Sequence, residues 1–250
     1  MNQILMSAED RMRRHLPEMD DTTWRRVSSR ARQYFHDLPL KGRRVLDIGA
    51  GSGVFSLWMK EVCGAAEVVA VEPGEGVGTT AGVDEASHAL FERSGIPGLR
   101  LVSARIQDFV PDEPFDVIVS INSINHVDEV THRLDRESDA RDRFITLFRQ
   151  LHDMLVVGGD LMVTDADRYC LERYTARLGL PRLFTPTIDY DLHQKAETWA
   201  ELAEMGGFGD FHIRGVASSS LEPRLGPWRD NRIAAFLTTG VFLMRARRIS

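Results

Sequence analysis

The sequence has very few cysteines and no long apolar run. Cys63 and Cys170 are its only cysteines among 250 residues, which excludes a disulfide framework and a zinc site built on thiolates. No segment approaches the roughly 18 consecutive apolar residues that a membrane-spanning helix needs, and the N-terminal segment lacks the apolar stretch of a signal peptide. We therefore expect a cytoplasmic protein without a membrane span.

An excess of positive charge is also missing. The formal net charge is −6, so the chain as a whole offers no positive field for nucleic acid or acidic membranes. Short arginine clusters do occur, and solvated surface is their ordinary role; they include Arg13-Arg14, Arg25-Arg26 and Arg247-Arg248. We do not expect a nucleic-acid partner, although these clusters keep RNA among the alternatives. The sequence does not indicate an oligomeric state.

What the chain does contain is the ordinary composition of a globular protein, with 43% hydrophobic and 27% charged residues. Apolar residues at helical spacing predict an amphipathic N-terminal helix in the segment that follows Asp20-Asp21-Thr22, with an N-cap at its start and its end at Pro39. From Arg43 onward, short apolar runs alternate with helical segments, which is typical of a doubly wound α/β fold. Strands are predicted at 45–48, 68–71, 99–106, 115–121 and 161–164, and helices at 54–62, 84–93, 144–155 (ending at Gly158-Gly159) and 196–205.

The end of the chain has a different pattern. Two strand-like runs, 211–217 and 236–245, follow the last predicted helix, and no convincing helix separates them. Strands without a crossover helix pair in the antiparallel direction. We therefore predict an antiparallel hairpin at one edge of the sheet.

The run "VLDIGAGSG", Val45 to Gly53, places three glycines where the first predicted strand turns into the first helix. Glycines allow a tight turn and a close approach of ligand to backbone, and the N–H groups of a helix start attract negative charge. Nineteen residues after Gly53, Glu72 ends the second strand, where a carboxylate can accept hydrogen bonds from ribose hydroxyls. A nucleotide-like ligand is indicated, and a dinucleotide fits as well so far.

The glycine spacing differs from the G-x-G-x-x-G of dinucleotide-binding proteins. Together with Glu72-Pro73, "ARIQDF" at 104–109, "FDVIVSI" at 115–121 and "LVVGGDLMVTD" at 155–165, it resembles the class I S-adenosylmethionine-dependent methyltransferase family, of the small-molecule type. The resemblance covers roughly residues 43–165. It implies S-adenosyl-L-methionine as cofactor and a mostly parallel seven-stranded sheet with a C-terminal antiparallel hairpin.

The resemblance also implies roles for particular residues. The turn from Asp47 to Gly53 would hold the methionine part of the cofactor, Glu72 the ribose, and Asp108 the adenine amine beside backbone groups at Ile106 and Gln107. Asp47 could instead organise the turn without touching ligand. The complete expected cofactor-binding set is Asp47, Gly49, Ala50, Gly51, Gly53, Glu72, Gln107, Asp108, Ser120 and Asn122.

The segment "NSINHVDE", Asn122 to Glu129, follows the fourth strand and opens on the methyl site in this family. It lacks the Asn-Pro-Pro-Tyr or Asp-Pro-Pro-Tyr pattern that family members use on amide or adenine nitrogens. We predict His126 as the general base, with Asp128 orienting its ring; a capping or packing role for His126 is the alternative.

The predicted domain organisation is an N-terminal helical cover, residues 1–40, followed by the methyltransferase domain, residues 41–250. An insert at about 166–195 is expected to lie on the acceptor side, where Tyr169, Tyr174 and Phe184 either pack on the core or contact substrate. The glycine-rich stretch 74–83 is either a flap near the cofactor or a plain surface loop. No metal site is predicted, because the spacing of Asp165, Asp167 and His193 does not support one.

The function expected from these features is transfer of a methyl group from S-adenosylmethionine to a hydroxyl or amine of a small molecule, such as a natural product, a sugar or a lipid intermediate. The alternatives are an RNA or protein methyltransferase, an NAD-dependent oxidoreductase, and a binding protein that keeps the cofactor pocket without turnover.

Overall fold

A computed structural model describes residues 7–73, 83–128, 131, 133–181, 188–190, 192–217 and 231–250. The glycine-rich segment 74–82, Phe184 and part of the predicted insert lie outside the described residues. The chain divides into two compact units, an N-terminal unit (Met1–Phe109) and a C-terminal unit (Val110–Ser250).

The N-terminal unit contains three parallel strands in the order β3-β2-β1. Apolar side chains fill the strand interiors; Val45, Leu46 and Val69, for example, are fully buried, as expected for a sheet covered on both faces. Its elements are α1 (Ala8–Arg14), α2 (Asp21–Phe35), β1 (Arg44–Ile48), α3 (Val54–Glu61), β2 (Glu67–Val71), α4 (Val83–Ser94) and β3 (Leu99–Val102).

The two N-terminal helices pack against α3 within this unit. Asp20 caps α2 by accepting hydrogen bonds from the N–H groups of Thr22 and Thr23, so the predicted helix is present with an N-cap and begins at Asp21. The rings of Trp24 and Trp58 lie 6.0 Å apart between α2 and α3. An aromatic interface of this kind contributes to stability through buried area and ring contacts.

The C-terminal unit contains four strands in the order β4-β5-β7-β6. β4 and β5 are parallel, whereas β7 is antiparallel to both β5 and β6, so the predicted antiparallel pair at a sheet edge is confirmed. The elements are β4 (Phe115–Ile121), α5 (Ser138–Asp153), β5 (Leu155–Ala166), α6 (Leu171–Arg177), α7 (Ala196–Met205), β6 (Phe208–Val216), α8 (Arg232–Leu237) and β7 (Val241–Arg248).

The fold class expected from the sequence is confirmed: seven strands form a mixed, mostly parallel α/β sheet whose last strands are antiparallel. Among the helices in the described ranges, none has the length and apolar character needed to cross a membrane.

Several predicted boundaries are wrong. β3 ends at Val102 rather than at residue 106, because a 3-10 turn, Ile106–Asp108, follows it. Gly158 and Gly159 lie inside β5 and do not end α5, which stops at Asp153. A Cβ at Gly159 would lie 2.8 Å from the carbonyl oxygen of Val156, so this glycine serves close strand packing.

A helix also separates the last two strands, contrary to the prediction. Asn231 caps α8 by accepting a hydrogen bond from the N–H of Ile233 at 2.7 Å. β7 therefore begins at Val241 and not at Phe236. The short segment 238–240, in which Gly240 has a φ of +65°, separates the helix from the strand.

Candidate functional site

The glycine turn after β1 adopts left-handed backbone conformations that favour glycine. The φ angles of Gly49, Gly51 and Gly53 are +64°, +55° and +75°. A Cβ at Gly53 would lie 2.3 Å from the ring of Phe91, whereas a Cβ at Gly51 would meet no atom within 4 Å. Gly53 is therefore required by packing, and Gly51 leaves open space beside the turn.

Glu72 follows β2 and lies next to this turn. Its side chain is buried, and its Oε2 accepts a hydrogen bond from the N–H of Gly51 at 2.8 Å. The predicted ribose-binding residue is thus placed against the backbone of the predicted methionine-binding turn.

Asp47 lies beneath the turn, where it is almost completely buried. Burial raises the pKa of its carboxyl group to about 7; the hydrogen bond from Ser56 lowers the pKa, and the charge of Glu72 raises it. The Ser56 hydroxyl in α3 donates to Oδ2 of Asp47 at 2.5 Å. Asp47 therefore joins the end of β1 to the first turns of α3.

Gln107 and Asp108 lie on the 3-10 turn that follows β3, and both are exposed while Ile106 is buried. Because β1, β2 and β3 are parallel, the glycine turn, Glu72 and this 3-10 turn all lie at the carboxyl ends of strands. That edge is where ligands bind in open α/β sheets. The structure thus brings the N-terminal part of the predicted cofactor set to one edge.

In the C-terminal unit, the residues predicted at the end of β4 have different environments. Ser120 is buried and its hydroxyl lies 2.8 Å from that of Ser123. Asn122 has a φ of +52°, and its N–H donates to the carbonyl of Thr164 at 2.7 Å. Asn122 therefore fixes the point where the chain leaves β4 beside β5.

His126 lies on a 3-10 turn, Ile124–His126, directly after β4. It keeps an exposed surface, yet partial burial lowers the pKa of its imidazole below the ordinary value; the charge of Asp165 raises this pKa, and His193 lowers it. The carboxylate of Asp128, predicted to orient the ring, pairs with Arg143 at 3.3 Å. The acid whose charge acts on His126 is Asp165.

A second histidine, His193, was not predicted as a site residue. Its Nδ1 lies 3.1 Å from Oδ1 of Asp165 and 3.2 Å from Nδ2 of Asn125. Its ring centroid is 6.5 Å from that of His126 and 6.4 Å from that of Tyr190. The sequence signal was Asp165, which directly follows the predicted strand 161–164, whereas His193 lies in the long connection beyond it.

The spacing of Asp165, Asp167 and His193 in the sequence predicts no metal site. In the described part of the chain, no three histidine, cysteine, aspartate or glutamate residues are grouped as metal ligands. The carboxylate of Asp167 instead accepts a hydrogen bond from the N–H of Tyr169 at 2.8 Å.

Comparison with known proteins identifies the relatives of this chain. A family model described as "Methyltransferase domain" matches residues 20–217. A tRNA U34 carboxymethyltransferase of Shewanella amazonensis is 29% identical over 84% of this chain and 58% of its own length. The chain covers only 43% of several further proteins of that name, so it spans about half the length of these relatives.

Two further matches have more similar lengths. A ubiquinone biosynthesis O-methyltransferase of Azorhizobium caulinodans is 29% identical over 85% of this chain and 76% of its own length. The crystal structure of an S-adenosylmethionine-dependent methyltransferase from Mesorhizobium loti has a TM-score of 0.56 at 19% identity, covering 88% of this chain and 96% of that one. At that identity the likeness shows the fold alone. The family model matches most of the chain, including the glycine turn and most strands of the sheet. The protein therefore belongs to the class I S-adenosylmethionine-dependent methyltransferases.

Proposed function

We propose that this methyltransferase transfers a methyl group to a hydroxyl or amine of a small-molecule acceptor. The observation that carries the proposal is the compact group of His193, Asp165 and Asn125 beside the end of β4, in which the Asp165 side chain is 1% exposed and that of His193 is 12% exposed. A nearly buried imidazole suits a proton-accepting role toward a small ligand, because the surrounding protein excludes water.

S-adenosylmethionine, the cofactor of the family, supplies a methyl group on a positively charged sulfur. The N-terminal unit fits such a ligand, since the turn leaves open space at Gly51 and holds the buried carboxylate of Glu72 beside it. We propose that Glu72 binds the ribose hydroxyls and that Gln107 and Asp108 contact the adenine. Gly49, Ala50 and Gly51 then lie against the methionine part, and Asp47 supports the turn from below.

Ser120 and Asn122 stay proposed cofactor-binding residues of the C-terminal unit. Methyl transfer is an in-line displacement, so holding the two reactants in line supplies several kcal/mol of the barrier, about 7–11 kcal/mol at best. A proton must also leave the acceptor. His126 follows β4, and His193 contacts Asp165 at the end of β5. We propose that one of these two imidazoles receives the proton.

RNA is the competing acceptor, because a tRNA enzyme is among the relatives. Two observations favour a small molecule. The net charge is −6, and several arginines of the described residues pair with acids, for example Arg32 with Glu9 and Arg141 with Glu201. The chain also spans 76% of the O-methyltransferase relative but 58% of the tRNA enzyme.

The test is a transfer assay with radiolabelled S-adenosylmethionine on two fractions of the same cell extract, small metabolites and total tRNA. We expect label in a small molecule that chromatography and mass spectrometry identify, and none in nuclease-sensitive material. The Glu72→Ala variant is the matched control for enzyme-dependent label. Label confined to tRNA would overturn the proposal.

We further propose the domain roles expected from the sequence, with residues 1–40 as a helical cover and 166–195 as an acceptor-side insert. A cover affects turnover more than it affects cofactor binding. Deleting residues 1–40 tests this by calorimetry and transfer assay. Because Tyr34 and Phe35 of this segment are buried, circular dichroism must accompany the assay; an unfolded truncation would show that the segment is structural.

A further inference from the structure

Asp165 and His193 form a nearly buried acid–imidazole pair. Asp165 belongs to the end of β5, and His193 lies 28 positions later, in the connection that precedes α7. Their contact, 3.1 Å between Oδ1 and Nδ1, has hydrogen-bond length. The pair therefore joins the sheet edge to the acceptor-side connection.

The contact determines which ring nitrogen of His193 carries the proton. A carboxylate accepts and does not donate, so Nδ1 must carry the proton that is shared with Asp165. The contact of Nδ1 with the Asn125 amide agrees with this assignment when the amide oxygen faces the N–H, which a half-turn of the amide allows. The lone pair of neutral His193 consequently lies on Nε2.

The surrounding hydrogen bonds hold this segment in place. The side chain of Gln194 donates to the carbonyl of Thr131 at 2.8 Å, and the Thr131 hydroxyl contacts the carbonyl of Asn125 at 2.7 Å. Arg168 donates to the carbonyl of His193 at 2.8 Å. These hydrogen bonds hold the backbone that carries the His193 ring, as a positioned base requires.

Two atoms of the pair have no hydrogen-bond partner among the described residues. They are Oδ2 of Asp165, which is buried, and Nε2 of His193, whose ring makes its hydrogen-bond contacts through Nδ1. A buried carboxylate oxygen is normally hydrogen-bonded. A lone pair on Nε2 that has no partner in the described part of the protein suits a ligand that brings an O–H or N–H group.

We infer that His193 is the catalytic base of this enzyme, that Asp165 is its positioning residue, and that the acceptor group is a hydroxyl. The inference rests on the proposed small-molecule function and deepens it. His126 then lines the same space without receiving the proton. Its predicted orienting acid, Asp128, is engaged by Arg143, and its own ring nitrogens have no hydrogen-bond partner in the described part of the chain.

The proposed step balances in atoms and charge. The acceptor oxygen uses a lone pair to bond the methyl carbon, the electrons of the broken carbon–sulfur bond stay on sulfur, and the O–H proton moves to Nε2 of His193. One positive charge thus passes from the sulfonium to the imidazolium, where the carboxylate of Asp165 stabilises it. A neutral amine already offers a lone pair and can lose its proton afterwards, so an oriented base matters most for a hydroxyl.

The test compares His193→Gln with His126→Gln, since the two rings are neighbours and the substitutions are identical. Both are assayed with radiolabelled S-adenosylmethionine on the metabolite fraction. We expect His193→Gln to lower labelling by about 10²- to 10⁴-fold and His126→Gln by less than about tenfold. Calorimetry should show unchanged cofactor affinity for both variants, which separates loss of the base from loss of fold.

The labelled product decides the acceptor class. An O-methyl product lost only with His193→Gln supports the inference. An N-methyl product, or loss confined to His126→Gln, overturns the inference and leaves the proposed small-molecule function standing. Label confined to tRNA overturns the proposed function itself.

Two readouts separate chemistry from structure. Imidazole added to the His193→Gly variant should restore part of the labelling of the metabolite fraction, because a free base can occupy the vacated space. Nitrogen-15 NMR of the enzyme should show the Nδ1–H tautomer of His193 and its loss in Asp165→Asn, with labelling reduced about tenfold or more. No rescue, together with an unchanged tautomer, would reject the assigned roles.

Discussion

The glycine turn of the N-terminal unit and the histidine cluster of the C-terminal unit both lie where parallel strands end, but they are built differently. The turn relies on backbone conformations within Gly49–Gly53 and on one carboxylate from the next strand. The cluster relies on side chains contributed by distant positions, Asn125, Asp165 and His193. A site made by backbone is sensitive to any added side chain, whereas a site made by side chains is sensitive to their chemistry.

The stability of the glycine turn should be most sensitive to a side chain added at Gly53. Gly53→Ala adds a Cβ that lies 2.3 Å from the Phe91 ring at a φ of +75°, and left-handed strain of about 1–2 kcal/mol adds to overpacking of about 1–3 kcal/mol. Urea unfolding should show a loss of about 2–5 kcal/mol. Gly51→Ala, where the space is open, is the control and should lose only the strain. Equal losses in both variants would mean that packing at Phe91 is unimportant.

The buried acid beneath the turn should make stability depend on pH. Because the pKa of Asp47 is raised from 3.8 to about 7, folding favours the protonated carboxyl group. Its contribution is fully present below pH 3.8 and is lost as the pH rises through about 7, by at most about 4 kcal/mol. Asp47→Asn should therefore weaken the decline in unfolding free energy between pH 4 and pH 8. Parallel pH profiles for the two proteins would contradict the assignment.

The carboxylate at the turn should matter for ligand affinity rather than for fold. Glu72→Ala is expected to weaken S-adenosylmethionine binding by about 1.5–3 kcal/mol, the range for hydrogen bonds to a charged group. Glu67→Ala is the matched control, because Glu67 lies at the other end of β2 and pairs with Arg44 and Arg100. Calorimetry that finds equal affinity for wild type and Glu72→Ala would remove Glu72 from the site.

The smallest effect is expected for the second acid near the cluster. Asp128 pairs with Arg143, whose side chain is 57% exposed, and such surface pairs contribute about 0–1 kcal/mol. Asp128→Asn should lower labelling of the metabolite fraction by less than about fivefold. Asp165→Asn should lower the same labelling by about tenfold or more. A larger loss with Asp128→Asn would restore the sequence-based hypothesis that Asp128 orients His126.

The same contrast explains what could be predicted from the sequence. The turn is contiguous, so its glycine spacing and the position of Glu72 could be found without coordinates. β4 was predicted with its observed bounds, 115–121, because one uninterrupted apolar run forms a buried strand. The Asp165–His193 contact could not be found, since no spacing rule relates residues 28 positions apart through a long connection.

Errors in strand and helix bounds have a related cause. Gly158 and Gly159 suggest a helix end, yet they serve a register shift between β4 and β5 around Phe115 and Val117. Glycine frees the backbone for either purpose, and only the neighbouring strand decides between them. The insert at 166–195 is proposed from the length of the connection and its richness in Tyr, Arg, Leu and Phe, and neither feature says which residue His193 contacts.

Trp24 and Trp58, whose rings are in contact, can serve as intrinsic fluorescence probes of the N-terminal unit. Indole emission depends on the local environment, and Trp58 belongs to the helix that starts directly after the glycine turn. Trp199 packs against Phe144 within the C-terminal unit, so its emission can serve as an internal reference. We therefore expect ligand binding at the turn to change the intrinsic fluorescence of the unlabelled protein, and single Trp→Phe variants would assign the signal to one helix.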